Sequence, residues 1–156
     1  MILLLILLGC LLAPPGCTPA GPKGAPDPGG INPCSLITQA EASAVLGVPV
    51  GQTEPQEWAG GAVECRYIAP ADQNLTIQVY PGGARAYESY VRAFEKAQRA
   101  RPHKLGGLGD QAVFQAGQVV VLRREHFFVI SIGLPMEDTD RLRMSKTLAR
   151  KVLSRL

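Results

Sequence analysis

The sequence predicts an α+β protein, a two-layer sandwich in which an antiparallel sheet of about five strands carries helices packed on one face. Three observations lead there. Two groups of segments read as strands: AVECRYIA with NLTIQVYPG, which alternate, then residues 111–115, 118–123 and 126–133, bounded by turn signals. Between them, ARAYESYVRAFEKAQRA switches to helical spacing. A helix signature opens the folded part and another closes it, and hairpins separated by helices pack as a layered α+β domain.

The first helix starts at Thr38, an N-cap with Glu41 three residues on, and stops at Gly47. Leu36, Ile37, Ala40, Ala44 and Val45 are its expected apolar stripe. PVGQTEPQEWAGG follows as a loop. In the first strand Val63, Cys65 and Tyr67 share the core face, opposite Glu64 and Arg66. In the second, Leu75, Ile77 and Val79 point together, and PADQ makes the turn between the two strands. The middle helix carries Tyr87, Tyr90, Val91, Phe94 and Ala97 on one side, a core stripe. Phe127 to Ile130 and Ile132 make the last strand the most buried. The closing helix, residues 138–155, has Asp138 and Asp140 in its first turn and Arg150 and Lys151 late, which complements the helix dipole. Leu142, Leu148, Val152 and Leu156 form its stripe.

Composition bounds the function. With 16 Lys and Arg against 13 Asp and Glu, the net charge of +3 is too even to indicate a nucleic-acid binder. The N-terminal MILLLILLGCLLAPPGC is apolar and uncharged but shorter than the ~20 residues needed to span a bilayer, so residues 1–16 read as an export signal. No basic residue precedes Lys23, a departure from the usual signal pattern. The segment is similar to a bacterial lipoprotein signal, in which a short box ends in a cysteine that takes a lipid and becomes the first residue after cleavage. LLGC ending at Cys10 fits that box letter by letter. Cleavage at Cys17 instead leaves TPAGPKGAPDPGG behind the lipid, a Pro/Gly-rich tether over residues 17–31, and Cys17 is favoured on that ground.

Two cysteines remain, Cys34 and Cys65, in the single domain of residues 32–156. In an exported protein two leftover thiols most economically form one disulfide, closing roughly thirty residues and contributing about 3 kcal/mol. No metal site is expected, because the two histidines, His103 and His126, are distant and lack paired ligand spacing.

NPCSLIT leading into EASAVLG, ECRY on the first strand, then LGGLGDQAVF with a closing hairpin and helix, resemble the small uncharacterised lipoproteins of high-GC bacteria that are grouped as domains of unknown function. The resemblance spans residues 32–156. It implies an exported, membrane-tethered α+β domain with Cys34 joined to Cys65, and it brings no known activity and no catalytic residues. The RREH turn departs from the pattern, where a glycine is expected.

The search for chemistry returns little. GLGDQA, Gly107 to Ala112, has the letters of a dinucleotide fingerprint, but a strand follows it, and phosphate binding there requires a helix. It reads as a turn in which glycines supply positive φ and Asp110 caps the loop. His126 at a hairpin tip and His103 in a loop read as solvated, and no nucleophile motif occurs. Asn74 heads the sequon NLT, but on a strand. Trp58, the only tryptophan, stands beside Glu57 in a Gly-flanked acidic segment, a candidate contact loop. The expectation is therefore a lipid-anchored protein at the outer face of the bacterial cell membrane, a non-enzyme without cofactor, acting as a binding or interaction module. Its partner would be an unknown envelope protein or a small ligand. The alternative is a small-ligand carrier or an envelope hydrolase.

Overall fold

The computed structural model describes residues 30–156; the expected signal segment, Cys10, Cys17 and the expected tether up to residue 29 lie outside the described residues. Asn32 accepts the Cys34 N–H and opens a four-residue turn of helix, α1 (Pro33–Leu36). Thr38 and Glu41 then form the expected reciprocal capping box of α2 (Gln39–Leu46), and Gly47 ends it in the left-handed conformation, with φ 72. β1 (Gln52–Glu57), β2 (Val63–Ile68) and β3 (Asn74–Pro81) follow. After α3 (Gly83–Gln98) come β4 (His103–Lys104), β5 (Gln111–Gln115), β6 (Gln118–Arg123), β7 (His126–Gly133) and α4 (Asp138–Leu153).

The strands form one antiparallel sheet in the order β1-β2-β3-β7-β6-β5-β4, seven strands where about five are expected. The additions are the two edges. β1 lies where the sequence predicts a loop, and it buries nothing: its residues are exposed or half-exposed, and Pro55 occupies a position that only an edge strand tolerates. β4 is two exposed residues held by pairing with Val113 and Phe114. His103 is thus in a strand and not in a loop. His126 is the first residue of β7 and half-buried rather than solvated.

Helices cover both faces, not one. On the first face α1, α2 and α4 place Leu36, Ala42, Leu46, Leu148, Ala149 and Val152 against Cys65, Tyr67, Ile77, Val121, Phe128 and Ile130. On the second, Tyr87 of α3 packs on Val113, Val120, Leu122, Phe127 and Val129. β6 and β7 are apolar at successive positions because both of their faces are covered. Ala40 and Ala44 are exposed, since a helix starting at Gln39 turns Ala42 and Leu46 inward; Leu36 and Ile37 belong to the turn before it. In α3 only Tyr87 is fully buried, and Ala97 is exposed. In α4 the inward face is Ser145, Leu148, Ala149 and Val152, and Leu156 is exposed.

The N-terminal segment is fastened by a disulfide, by hydrogen bonds and by an ion-pair network. Cys34 and Cys65 form a disulfide between α1 and the core side of β2. The Tyr67 hydroxyl donates to the Ile37 carbonyl at 2.5 Å, and burial raises its pKa to about 12, which keeps it a donor. Glu41 accepts from Arg155 at 2.7 and 2.8 Å and from Lys151 at 2.9 Å, tying the α2 cap to the end of α4. Arg155 foremost, then the Thr38 N–H and Lys151, hold the Glu41 carboxyl far below the usual glutamate range. The folded protein therefore keeps this group ionised more tightly than the unfolded chain does. The stabilisation is complete above the unfolded value of about 4.3 and is lost as pH falls below it. Thermal midpoints measured from about pH 6 to pH 3 are expected to fall, and to fall less steeply in Glu41→Gln. Asp110, held low mainly by the Arg124 N–H, contributes with the same sign, so part of the slope remains. Equal slopes in the two proteins would show that the Glu41 network adds nothing to stability.

Candidate functional site

α3 lies over β3, β7 and β6 and leaves the second face of β1 and β2 without a helix. The strands present polar side chains there. Register places Glu54 opposite Arg66 and Gln56 opposite Glu64, and Glu64 opposite Gln78. Glu64 is only 2% exposed, and both its oxygens are used: Oε1 accepts from Arg66 Nη2 at 3.1 Å and Oε2 from Gln78 Nε2 at 2.5 Å. Gln78 Oε1 in turn accepts from the Tyr80 hydroxyl at 3.0 Å. A buried carboxylate is tolerable only with such partners, and here they immobilise the whole row. Tyr80 lies flat on Phe127 with ring centroids 4.6 Å apart, and 5.4 Å from Tyr90. Burial, with the Glu64 charge second, raises its pKa. The polar row thus ends against the aromatic flank of α3.

Trp58 follows directly on β1. Its N–H donates to the Ala62 carbonyl at 2.8 Å, extending the ladder by one pair before the Gly60–Gly61 turn, where both φ values are positive. At 44% exposure it is one of two large apolar side chains exposed among the described residues. Strand alternation carries position 58 to the face of Glu54 and Gln56. Glu57 pairs with Val63 and takes the opposite face, so the two residues of the expected contact loop do not converge. The missed strand had one legible signal, the Ala-Gly-Gly after Trp58, which reads as a hairpin turn into the strand that follows.

The GLGD segment is a turn, as expected. Gly107 and Gly109 have φ 72 and 57, the Asp110 N–H donates to the Leu122 carbonyl, and Asp110 Oδ2 accepts the Arg124 N–H at 2.6 Å. That last bond holds Arg124 at φ 54 in the RREH turn and offsets the cost of a left-handed conformation at a non-glycine residue.

A second concave region lies between α3 and the β4–β5 edge. It is an open cleft of about 560 Å³ between Tyr87 and Val91 on the helix side and Leu105 and Val113 on the other, with Arg92, Arg101 and Lys104 among the charged residues around it. His103 and His126 stand on different strands far apart in the sheet order. Among the described residues, no three His, Cys, Asp or Glu side chains form a metal-holding group, and no helix is long and apolar enough to cross a membrane. No family model, curated protein or solved structure matches the chain.

Proposed function

We propose that this chain is an exported binding module, tethered by a lipid on Cys17 to the outer face of the bacterial cell membrane, that docks an envelope protein on the helix-free half of its sheet. The observation that carries the reading is the pre-ordered row Arg66–Glu64–Gln78–Tyr80 beside the exposed Trp58. A polar surface whose side chains are already held by one another loses little entropy on docking, and an exposed tryptophan is a typical anchor for a protein partner. The lipoprotein-like N-terminus and the disulfide support the location. The reading assigns no catalytic residue.

The test places a photo-cross-linking amino acid at Gln56 in living cells, and in parallel at Arg143 on the solvent side of α4. A discrete adduct from position 56 that is absent from position 143, and that Trp58→Ala abolishes, is the expected result. Adducts of equal size and yield from both positions, or none from 56, would overturn it. Mass spectrometry of the N-terminal peptide from the membrane fraction should show a diacylated Cys17; an unmodified peptide found only in the medium removes the tether.

A further inference from the structure

The cleft beside α3 is separate from that surface. Of the apolar stripe of α3, Tyr90, Val91 and Phe94 are only half-buried, whereas Val113 and Val120 on the sheet are almost completely buried. The space left between the helix and the β4–β5 edge has the volume of pockets that hold small organic ligands, about 300–1,000 Å³. Its walls differ in charge. On the helix side Arg92 already faces Glu88 at 3.8 Å, and Glu95 stands one turn on. The strand side offers Arg101 and Lys104, both exposed and on either side of His103. Further along the same face of β5 as Val113, Gln115 is 6% exposed, and neither its Nε2 nor its Oε1 has a partner among the described residues. A buried amide on this face is therefore left without a hydrogen-bond partner, although it is not among the residues that line the cleft.

We infer that this cleft binds a single-chain amphipathic carboxylic acid, its apolar chain lying between Tyr87 and Val91 of α3 and Leu105 and Val113 of the strand side, its carboxylate held by Arg101 and Lys104. An apolar chain alone does not use the strand-side cations, and a polar anion alone does not displace water from the apolar walls; a molecule with both parts uses the whole cleft. On the helix side Arg92 is already paired with Glu88 and Glu95 adds a further negative charge, which disfavours the carboxylate there and sets the orientation.

The experiment uses the full-length protein in membranes and a diazirine-bearing fatty acid as photoprobe, with labelled peptides mapped by mass spectrometry. Label is expected on the peptides bearing Val91 and Leu105, and dodecanoate is expected to compete with it where methyl dodecanoate does not. Arg101→Glu combined with Lys104→Glu should weaken labelling at least about tenfold, and Val91→Trp, which fills the cleft without touching the charges, should abolish it. An unchanged thermal midpoint in each variant confirms that the fold is intact. Label scattered over the surface, equal competition by the ester, or labelling indifferent to both variants would overturn the inference.

Discussion

Replacing Cys34 and Cys65 together with alanine is expected to lower the unfolding free energy by about 3 kcal/mol and the thermal midpoint by roughly 10–15 °C. The bridge spans 31 positions of chain, so its removal returns to the unfolded state a large set of conformations that the native protein does not share. The folded state is also affected. α1 has only four residues and no helical stability of its own, so its position depends on the disulfide, the Tyr67–Ile37 hydrogen bond and the Arg155 contact with the Leu36 carbonyl at 2.6 Å. Without the bridge these contacts and the burial of Leu36 and Ile37 must order the segment. Urea titrations of the oxidised protein, the reduced protein and the double variant measure the effect. If the midpoint of the reduced protein equals that of the oxidised one, the disulfide contributes nothing to stability.

Gly109→Ala is expected to destabilise by a similar amount for an unrelated reason. Gly109 sits at φ 57, which costs an L-residue about 1–2 kcal/mol. A Cβ there would also lie 2.4 Å from the Leu122 carbonyl oxygen and 2.7 Å from a Val121 methyl. The oxygen belongs to β6 and is itself the acceptor of the Asp110 N–H, so it cannot retreat without opening the bond that anchors the turn. Strain of that kind adds about 1–3 kcal/mol, giving about 3 kcal/mol in all. Gly107→Ala, where nothing lies within 4 Å of the added carbon, carries only the conformational cost and is the control. Chemical denaturation of the two variants separates the terms: equal losses would mean that the contact with Leu122 yields freely.

Much of the fold was legible because local chemistry specifies it. The Thr38–Glu41 box, the Gly47 stop, the alternation of VECRYI and LTIQV and the dipole-ordered charges of the last helix depend on neighbours within a few positions, and each appears where the sequence places it. The cysteine pairing was legible by count. β1 was not, because an edge strand is held by backbone bonds to β2 and needs no apolar side chain to mark it. VVVL in β6 and FFVI in β7 did hold the evidence that both sheet faces are covered, since a strand with a wet side alternates and these do not.

By itself, then, the sequence determined the α+β class, the Thr38 and Gly47 ends of the first full helix, the start of the last helix at Asp138, the disulfide partners, and the fact that GLGD is a turn. Only the tertiary structure decided which helix takes which face, that Glu64 is a buried carboxylate linked to Arg66 and Gln78, that Trp58 and Glu57 separate, and that a cleft opens beside α3. The division follows from range. Caps, turns and alternation are settled between residues close in the chain, whereas burial of a charge and the volume left under a helix depend on elements that meet only once the sheet is complete.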